Sequence, residues 1–579
     1  MNFSKLRLLA LGALLAAPTS VYSHVPAHPE SPIHPLAEMH KGLELYTKGG
    51  VFDKINHTRT KAGANALRER LESPITEVAT LVTRQNAIEY VRQSPDLQTQ
   101  LGKILAGIAF LESSVRSNSV LDQKILNKLY FTWPLLKNLN ESPFALTALA
   151  CTYPVLDFIP VATHTIMPLL GSYLGIQHRC GHKHHNHSEK KHSHTKHATQ
   201  TNTHVPRAGL MINALKYTFV ALTALHAKEI ATAPIQWYNT PGRYTELEIM
   251  HKRLQGIAHR LMYFKQLYHA IENHPDFVKN LEHWEHFKNL ATKTNISAEL
   301  KQLLELLESD TFKGKFSRFI QAGNILVAYK LMQQVSQECM PANKALGEID
   351  LYLNCAELVQ KQGYCYAQYV TSEKPFIEAK NFSHPFVTKD VVKNSITLQR
   401  NALFSGPSTS GKSTALKSIG LAYLGQTLGI ASAESLTMTP FDVIAVLRDI
   451  KDNTQENRSK FENVALKLHA ILTQARECQA QNKRMFVILD DGIDGINNKA
   501  QEAIICNFLN DLLPLPNVVV VAATHCLAAT EVANNPACEC KNYTFVNHQM
   551  VPGVGQFETA TELLEQKHPE LRALLRARA

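Results

Sequence analysis

The sequence predicts an α+α/β protein in which long helices are followed by a P-loop α/β domain with a mostly parallel sheet. Three observations predict it. Apolar residues recur at spacings of three and four over 58–135 and again from Glu246 to Leu358, as the buried stripe of a helix demands. Asn401 to Thr414, NALFSGPSTSGKST, leads an apolar, strand-like entry into the spacing G-x-x-x-x-G-K-[ST]. Two later apolar runs, Met485 to Leu489 and Val518 to Ala523, end in Asp490-Asp491 and Thr524-His525, the pattern of strands buried on both faces with polar groups at their C-terminal edge.

The elements follow in order. Lys5 and Arg7, the apolar run Leu8 to Ala17, and then Pro18 and Val21-Tyr22-Ser23 have the layout of a signal peptide or N-terminal anchor over 1–23, with cleavage after Ser23. Residues 24–50 form a spacer, rich in Pro and His up to Pro35. A first helical part occupies 51–140, with Leu67, Leu71, Ile75, Leu101, Ile104, Leu105 and Ile108 on its apolar faces. Residues 141–235 break the pattern: from Pro143 to Gln177 the only formally charged side chain is Asp157, and Ala208 to Ala227 carries only Lys216. Such lengths suit either a membrane hairpin kinked at Pro154, Pro160 and Pro168 or a pair of buried helices. Between them, 178–204 is rich in His, Lys, Ser and Thr, the composition of a solvated loop or of a tract that captures transition metals through imidazole. The helical pattern returns over 236–370, the P-loop domain takes 371–550, and 551–579 forms a helical tail.

The loop 406–414 is a phosphate cradle. Gly406 and Gly411 let the backbone of the loop, which runs through Pro407, Ser408, Thr409 and Ser410, curl so that its successive N–H groups aim at phosphate oxygens, where a Cβ would obstruct the approach. Lys412 would reach the β- and γ-phosphates, Ser413 would hold magnesium, and the helix opening near Thr414 would set its positive end under the anion. Asp490 is the second magnesium-side group, Asp491 the base or water-orienting residue, and Thr524-His525 a γ-phosphate sensor. ATP and Mg2+ are the implied cofactors.

These residues carry a resemblance. GPSTSGKST, Ala433-Glu434-Ser435, Ser459-x-Phe461, VILDD and AATH together resemble the ATPase domain of the MutS family of mismatch-repair and related proteins. His57-Thr58-Arg59-Thr60-Lys61-Ala62-Gly63, with Leu67, Leu71, Pro74 and Arg84-Gln85-x-Ala87-Ile88, is similar to the start of that family's helical core, or lever, domain. The resemblance implies an ABC-type ATPase driving lever helices in DNA binding and mismatch repair. It implies further that Phe386 stacks on adenine and that Ser459 completes the partner subunit's site in a homodimer with composite ATP sites. Between the signal-like segment and His57 there is no room for the family's mismatch-reading domain, and the place of its DNA clamp is taken by the apolar and His-rich stretch.

The chain also departs from the family pattern. Ser408 stands where the P-loop has Asn, Asp491 where the second acid is Glu, Val464 where an acid is expected, and Gly495-Ile496 where Gly-Thr is usual. A carboxylate one methylene short sets the lytic water back, so slow hydrolysis is expected. The alternative function is a membrane-associated ATP-dependent switch or scaffold that no longer binds mismatched DNA. Composition separates the two little: 579 residues with 45% apolar and 19% charged side chains are globular, and a formal charge of +10 suits DNA or an anionic membrane alike. Ten irregularly spaced cysteines do not make a disulfide framework. Because ATP is cytoplasmic, the expected placement is at a membrane with the ATPase in the cytoplasm, export through the signal peptide being the alternative.

Overall fold

The structure is a computed structural model, and it describes residues 35–114, 130, 134–148, 242–316, 318–361, 363–372, 374–387, 390–407, 410–448, 460–490, 498–555 and 570. The signal-like segment, the His-rich tract, most of the apolar stretch, and Ser408, Thr409, Ser459, Asp491 and 495–497 lie outside the described residues. Among the described residues, no helix is long and apolar enough to cross a membrane. The chain divides into two compact units, one made of 1–11, 115–260 and 296–337, the other of 12–114, 261–295 and 338–579.

In chain order the helices are α1 (Pro35–Gly42), α2 (Val51–Ile55), α3 (Lys61–Glu72), α4 (Val78–Gln93), α5 (Pro95–Ser114), α6 (Gly242–Ile271), α7 (Pro275–Val278), α8 (Trp284–Thr292), α9 (Ala298–Glu308), α10 (Arg318–Val335) and α11 (Met340–Gln360). In the first unit, α9 buries Leu300, Leu303, Leu304 and Leu307 as one stripe, and Ser297 caps it by accepting the Leu300 N–H. The His251 ring lies 2.8 Å from the Thr311 carbonyl and stacks on Phe312.

In the second unit α11 is the central helix, buried on nearly every face and packed against α3, α4 and α8. A helix buried all round needs partners for its polar groups, and α11 finds them for Asp350 and for Asn354 Oδ1 at the start of α3. Asp350 accepts the Arg59 N–H at 3.0 Å, and at 2.7 Å both the N–H and the hydroxyl of Thr60, the residue that caps α3. One turn on, Asn354 Oδ1 accepts the His57 N–H at 2.8 Å. A Cβ on Gly63 would come within 2.2 Å of Asp350 Oδ2, which gives the glycine its physical reason. The block from His57 to Gly63 is therefore a helix start clamped by a buried carboxylate. Burial pushes the Asp350 carboxyl up from its ordinary value, against the lowering effect of these donors.

The α/β part holds two sheets. One has the order β3-β2-β6-β1-β5, from β1 (Cys365–Tyr369), β2 (Ile377–Phe382), β3 (Asn394–Leu398), β5 (Ile430–Ala431) and β6 (Ser435–Met438). The other has the order β11-β10-β4-β9-β8-β7, from β4 (Asn401–Phe404), β7 (Val443–Leu447), β8 (Met485–Asp490), β9 (Val518–Ala523), β10 (Cys540–Val546) and β11 (Gln549–Pro552). Every pair in the second sheet is parallel except β10 with β11. Helices α12 (Lys412–Gly420), α13 (Tyr423–Thr427), α14 (Lys460–Ala480), α15 (Asn498–Leu512) and α16 (Leu527–Ala533) complete it, and Leu468, Ile471, Phe508 and Leu509 bury against Leu403, Val487 and Val520 of the sheet.

Three expectations change. Residues 35–50, placed in the spacer, are folded: Met39, Leu43 and Leu45 are buried, and α1 packs on β7. A Cβ on Gly42 would sit 2.3 Å from Val446, and one on Gly420 would sit 2.5 Å from Leu43, so the segment is seated closely on this sheet. The stretch 236–370 is not helical to its end, because β1 pairs with β6 and belongs to the α/β part. The α/β part also contains a second, mostly antiparallel sheet that the apolar patterning did not indicate.

Candidate functional site

Three strands deliver the candidate residues to one edge. Phe404 on β4 is in register with Ala523 on β9, and Asp490 on β8 is in register with the same Ala523, so Ser405-Gly406, Asp490 and Thr524-His525 leave their strands side by side. The Thr524 N–H donates to the Phe404 carbonyl at 2.9 Å, and the Thr524 hydroxyl accepts from Cys526. Thr524 is buried and His525 exposed.

From β4 the chain turns through Gly406, whose φ is 131°, reaches Gly411 at φ 106° and enters α12 at Lys412, two residues earlier than expected. Both glycines occupy the region that L side chains disfavour, as the cradle requires. Lys412 is buried, and its Nζ donates to the Gly406 and Pro407 carbonyls at 2.8 Å each, which folds the ammonium back over the loop. The Ser410 hydroxyl is buried, with no hydrogen-bond partner among the described residues. The turn after β10 and the segment after β11 lean on this loop: His548 Nδ1 lies 3.0 Å from the Ser410 carbonyl, and the Gly555 N–H donates to Ser405 Oγ at 2.9 Å.

The Ser413 hydroxyl donates to Asp490 Oδ1 at 2.8 Å. A hydroxyl and a buried carboxylate meeting beside a phosphate-type loop form the all-oxygen pair that suits Mg2+, which takes one or two protein groups and completes its shell with phosphates and water. The donor set fits that ion. The other Asp490 oxygen, Oδ2, lies 3.2 Å from Arg448 Nε, just past the end of β7. Arg448 Nη1 in turn reaches Glu44 Oε1 at 2.7 Å, and Lys417 Nζ reaches the same oxygen at 3.1 Å. Burial works to raise the Glu44 carboxyl, but hydrogen bonds from Arg448 and Lys417 outweigh it and hold the group below its ordinary value.

Phe386 is half-buried and packs edge-on against His384, with ring centroids 4.4 Å apart. His384 is buried and its Nε2 has no hydrogen-bond partner among the described residues; burial, then Lys417, pushes the imidazole down to about 4. Among the described site residues, Gly406, Pro407, Ser410, Gly411, Lys412, Ser413, Thr414, Asp490 and His525 gather on one loop-helix and its flanking strand ends.

Sequence reasoning missed Arg448, Glu44, Lys417 and His384. Arg448 carried a usable signal, since it ends a short apolar run, Val443 to Leu447, just as Asp490 ends another. Glu44 carried none, because its role depends on where the segment docks. Arg84 and Gln85 were noted only as part of a resemblance. The structure shows Arg84 Nη1 donating to the Thr427 carbonyl at 2.8 Å and Gln85 Nε2 donating to the Gly429 and Ala367 carbonyls at 2.8 and 2.7 Å, which ties α4 to the turn that follows α13. The Tyr423 hydroxyl donates to the Leu71 carbonyl and the Ile75 N–H to that of Gln426, which ties the end of α3 to α13.

The family model described as MutS domain III matches residues 38–157. The chain is 25% identical over 536 residues to the "DNA mismatch repair protein MutS" of Wolbachia pipientis wMel, a match that covers 85% of this chain and 58% of that protein. It is 23% identical over 479 residues to the protein of the same name from Anaplasma phagocytophilum (78% and 51% covered), and 24% identical over 466 residues to the "DNA mismatch repair protein MSH3" of Candida glabrata (72% and 40% covered). The chain thus spans about half the length of these curated relatives.

Proposed function

The chain belongs to the MutS family, and from that premise we propose that it binds MgATP at the 406–414 loop and uses the nucleotide to operate its helical block on DNA. The observation that carries this reading is the Ser413–Asp490 hydrogen bond beside a loop with two positive-φ glycines and a buried lysine. An isolated glycine-rich turn would have no reason to bring a carboxylate from another strand to its serine.

Each group then has a task. Lys412, released from the loop carbonyls, meets the phosphates, while backbone N–H groups of the loop and the start of α12 face the anion. Ser413 and Asp490 hold Mg2+, which neutralises charge on the phosphates when bound. Asp491 orients water, His525 senses the γ-phosphate and Phe386 stacks on the base. Ser459 serves the partner's site in a homodimer. The contacts of Arg84, Gln85, Ile75 and Leu71 with 423–429 and Ala367 support a lever reading, because they connect α3 and α4 to the turns between α12 and β5.

The test is equilibrium binding of a fluorescent ATP analogue to wild type and Lys412→Ala, with circular dichroism as the fold control. Wild type should bind and the variant should lose at least about 100-fold in affinity, since a charge-assisted contact to phosphate is removed together with its neighbours' alignment. Equal affinity in a folded variant would show that the loop is not the nucleotide site.

A further inference from the structure

The guanidinium of Arg448 spans two carboxylates that belong to different parts of the chain. Its Nε faces Asp490 Oδ2 at 3.2 Å, on the carboxylate that also accepts Ser413, and its Nη1 faces Glu44 Oε1 at 2.7 Å. Asp490 is buried, and Arg448 is only 18% exposed. A divalent cation seated between Ser413 and Asp490 would lie a few ångströms from this guanidinium. Two like charges at that separation in a half-buried site repel, so seating the cation weakens the hold of the guanidinium on the shared carboxylate. Glu44 supplies the alternative: one arm of the fork is already there, and a small rotation about the Arg448 side chain transfers the rest.

Glu44 is itself an unusual anchor. Its φ is +54°, a left-handed conformation that a glutamate does not adopt without support. The support is local and specific. Its N–H donates to the Lys41 carbonyl, its carbonyl accepts the Val51 N–H, and its side chain holds both Lys417 and Arg448. The turn that carries it is seated by the buried Leu43, which lies against Gly420, a glycine that Ile488 of β8 also approaches. A change in the load on Glu44 is therefore felt along residues 39–55, which lead directly into the clamped start of α3.

We propose that Arg448 is a tethered cation that competes with magnesium for Asp490, and that its transfer to Glu44 reports occupancy of the site to the segment 39–55. This rests on the reading of 406–414 as a nucleotide site. It makes Arg448 a positioning residue for that site and Glu44 its relay.

The experiment titrates Mg2+ into protein and a fluorescent ATP analogue, starting from EDTA, for wild type, Arg448→Met and Glu44→Gln. Removing the competitor should lower the Mg2+ concentration at half-effect by about tenfold, whereas removing the relay leaves Arg448 on Asp490 and should raise it by about threefold. General loosening of the fold would move both variants the same way, so opposite shifts distinguish the inference from a structural role. Hydrogen exchange on wild type provides a readout without any substitution: Mg2+ with ATP should increase protection of 39–55, and ATP in EDTA should not. Equal Mg2+ midpoints, or shifts of one sign, or a segment 39–55 indifferent to Mg2+, overturn the inference while ATP binding itself stands. Wild type that binds no ATP in either condition overturns the site reading and the inference together.

Discussion

Asp490 shows how much one side chain can be asked to do. It accepts from Ser413 on one oxygen and faces Arg448 on the other. The next residue, Asp491, carries the most pointed departure from the family pattern, one methylene short of the glutamate that the resemblance calls for. Single-turnover hydrolysis by wild type, Asp491→Glu and Asp491→Asn measures its part. Restored reach should raise the rate by about tenfold or more, and the amide should lower it, with ATP affinity nearly unchanged in both, since a group that orients water acts in the chemical step and not in binding. Three equally negligible rates would make the chain a binding switch with no catalytic residue at 491.

The elements differ in how plainly the sequence announced them. β4, β8 and β9 were legible because a parallel strand covered on both faces must be continuously apolar, and each ends in a group whose chemistry names it. The sheet of β1, β2, β3, β5 and β6 was not, since its strands are only two to six residues long and β2, Ile377–Phe382, breaks its alternation of buried and exposed positions midway. Residues 35–50 were missed for a different reason: the segment is short, and the residues it packs on, Val446 against Gly42 and Gly420 against Leu43, are about four hundred residues away. The block from His57 to Gly63 was recognised as a pattern, and only the structure supplies its cause, the Asp350 carboxylate. Gly63→Ala should therefore destabilise the protein by about 1–3 kcal/mol, because the added methyl meets a carboxylate already fixed by its donors and cannot be accommodated without breaking them. Urea denaturation should show a lower midpoint at unchanged slope; an unchanged midpoint would mean that α3 and α11 are free to separate.

At the scale of the whole molecule, helix α4 is joined to the α/β part that carries the 406–414 loop by hydrogen bonds from the Arg84 and Gln85 side chains to the Thr427 and Gly429 carbonyls. What the helices act on was never legible. A formal charge of +10 over 579 residues without a basic block fits DNA and an anionic surface equally. The apolar and His-rich stretch that separates the two reaches of helical core lies outside the described residues, so the family relationship is what weights the choice toward DNA.

The central claim is a nucleotide-operated DNA-binding protein, and filter binding to plain, branched and mismatched duplexes at several salt concentrations, with and without MgATP, tests it most directly. Wild type should bind with an affinity that falls steeply and log-linearly with salt, as release of counterions from phosphates requires, and MgATP should shift that affinity in wild type but not in Lys412→Ala. No binding at any salt, or binding to which MgATP makes no difference, would contradict the account and leave a nucleotide-binding scaffold in its place.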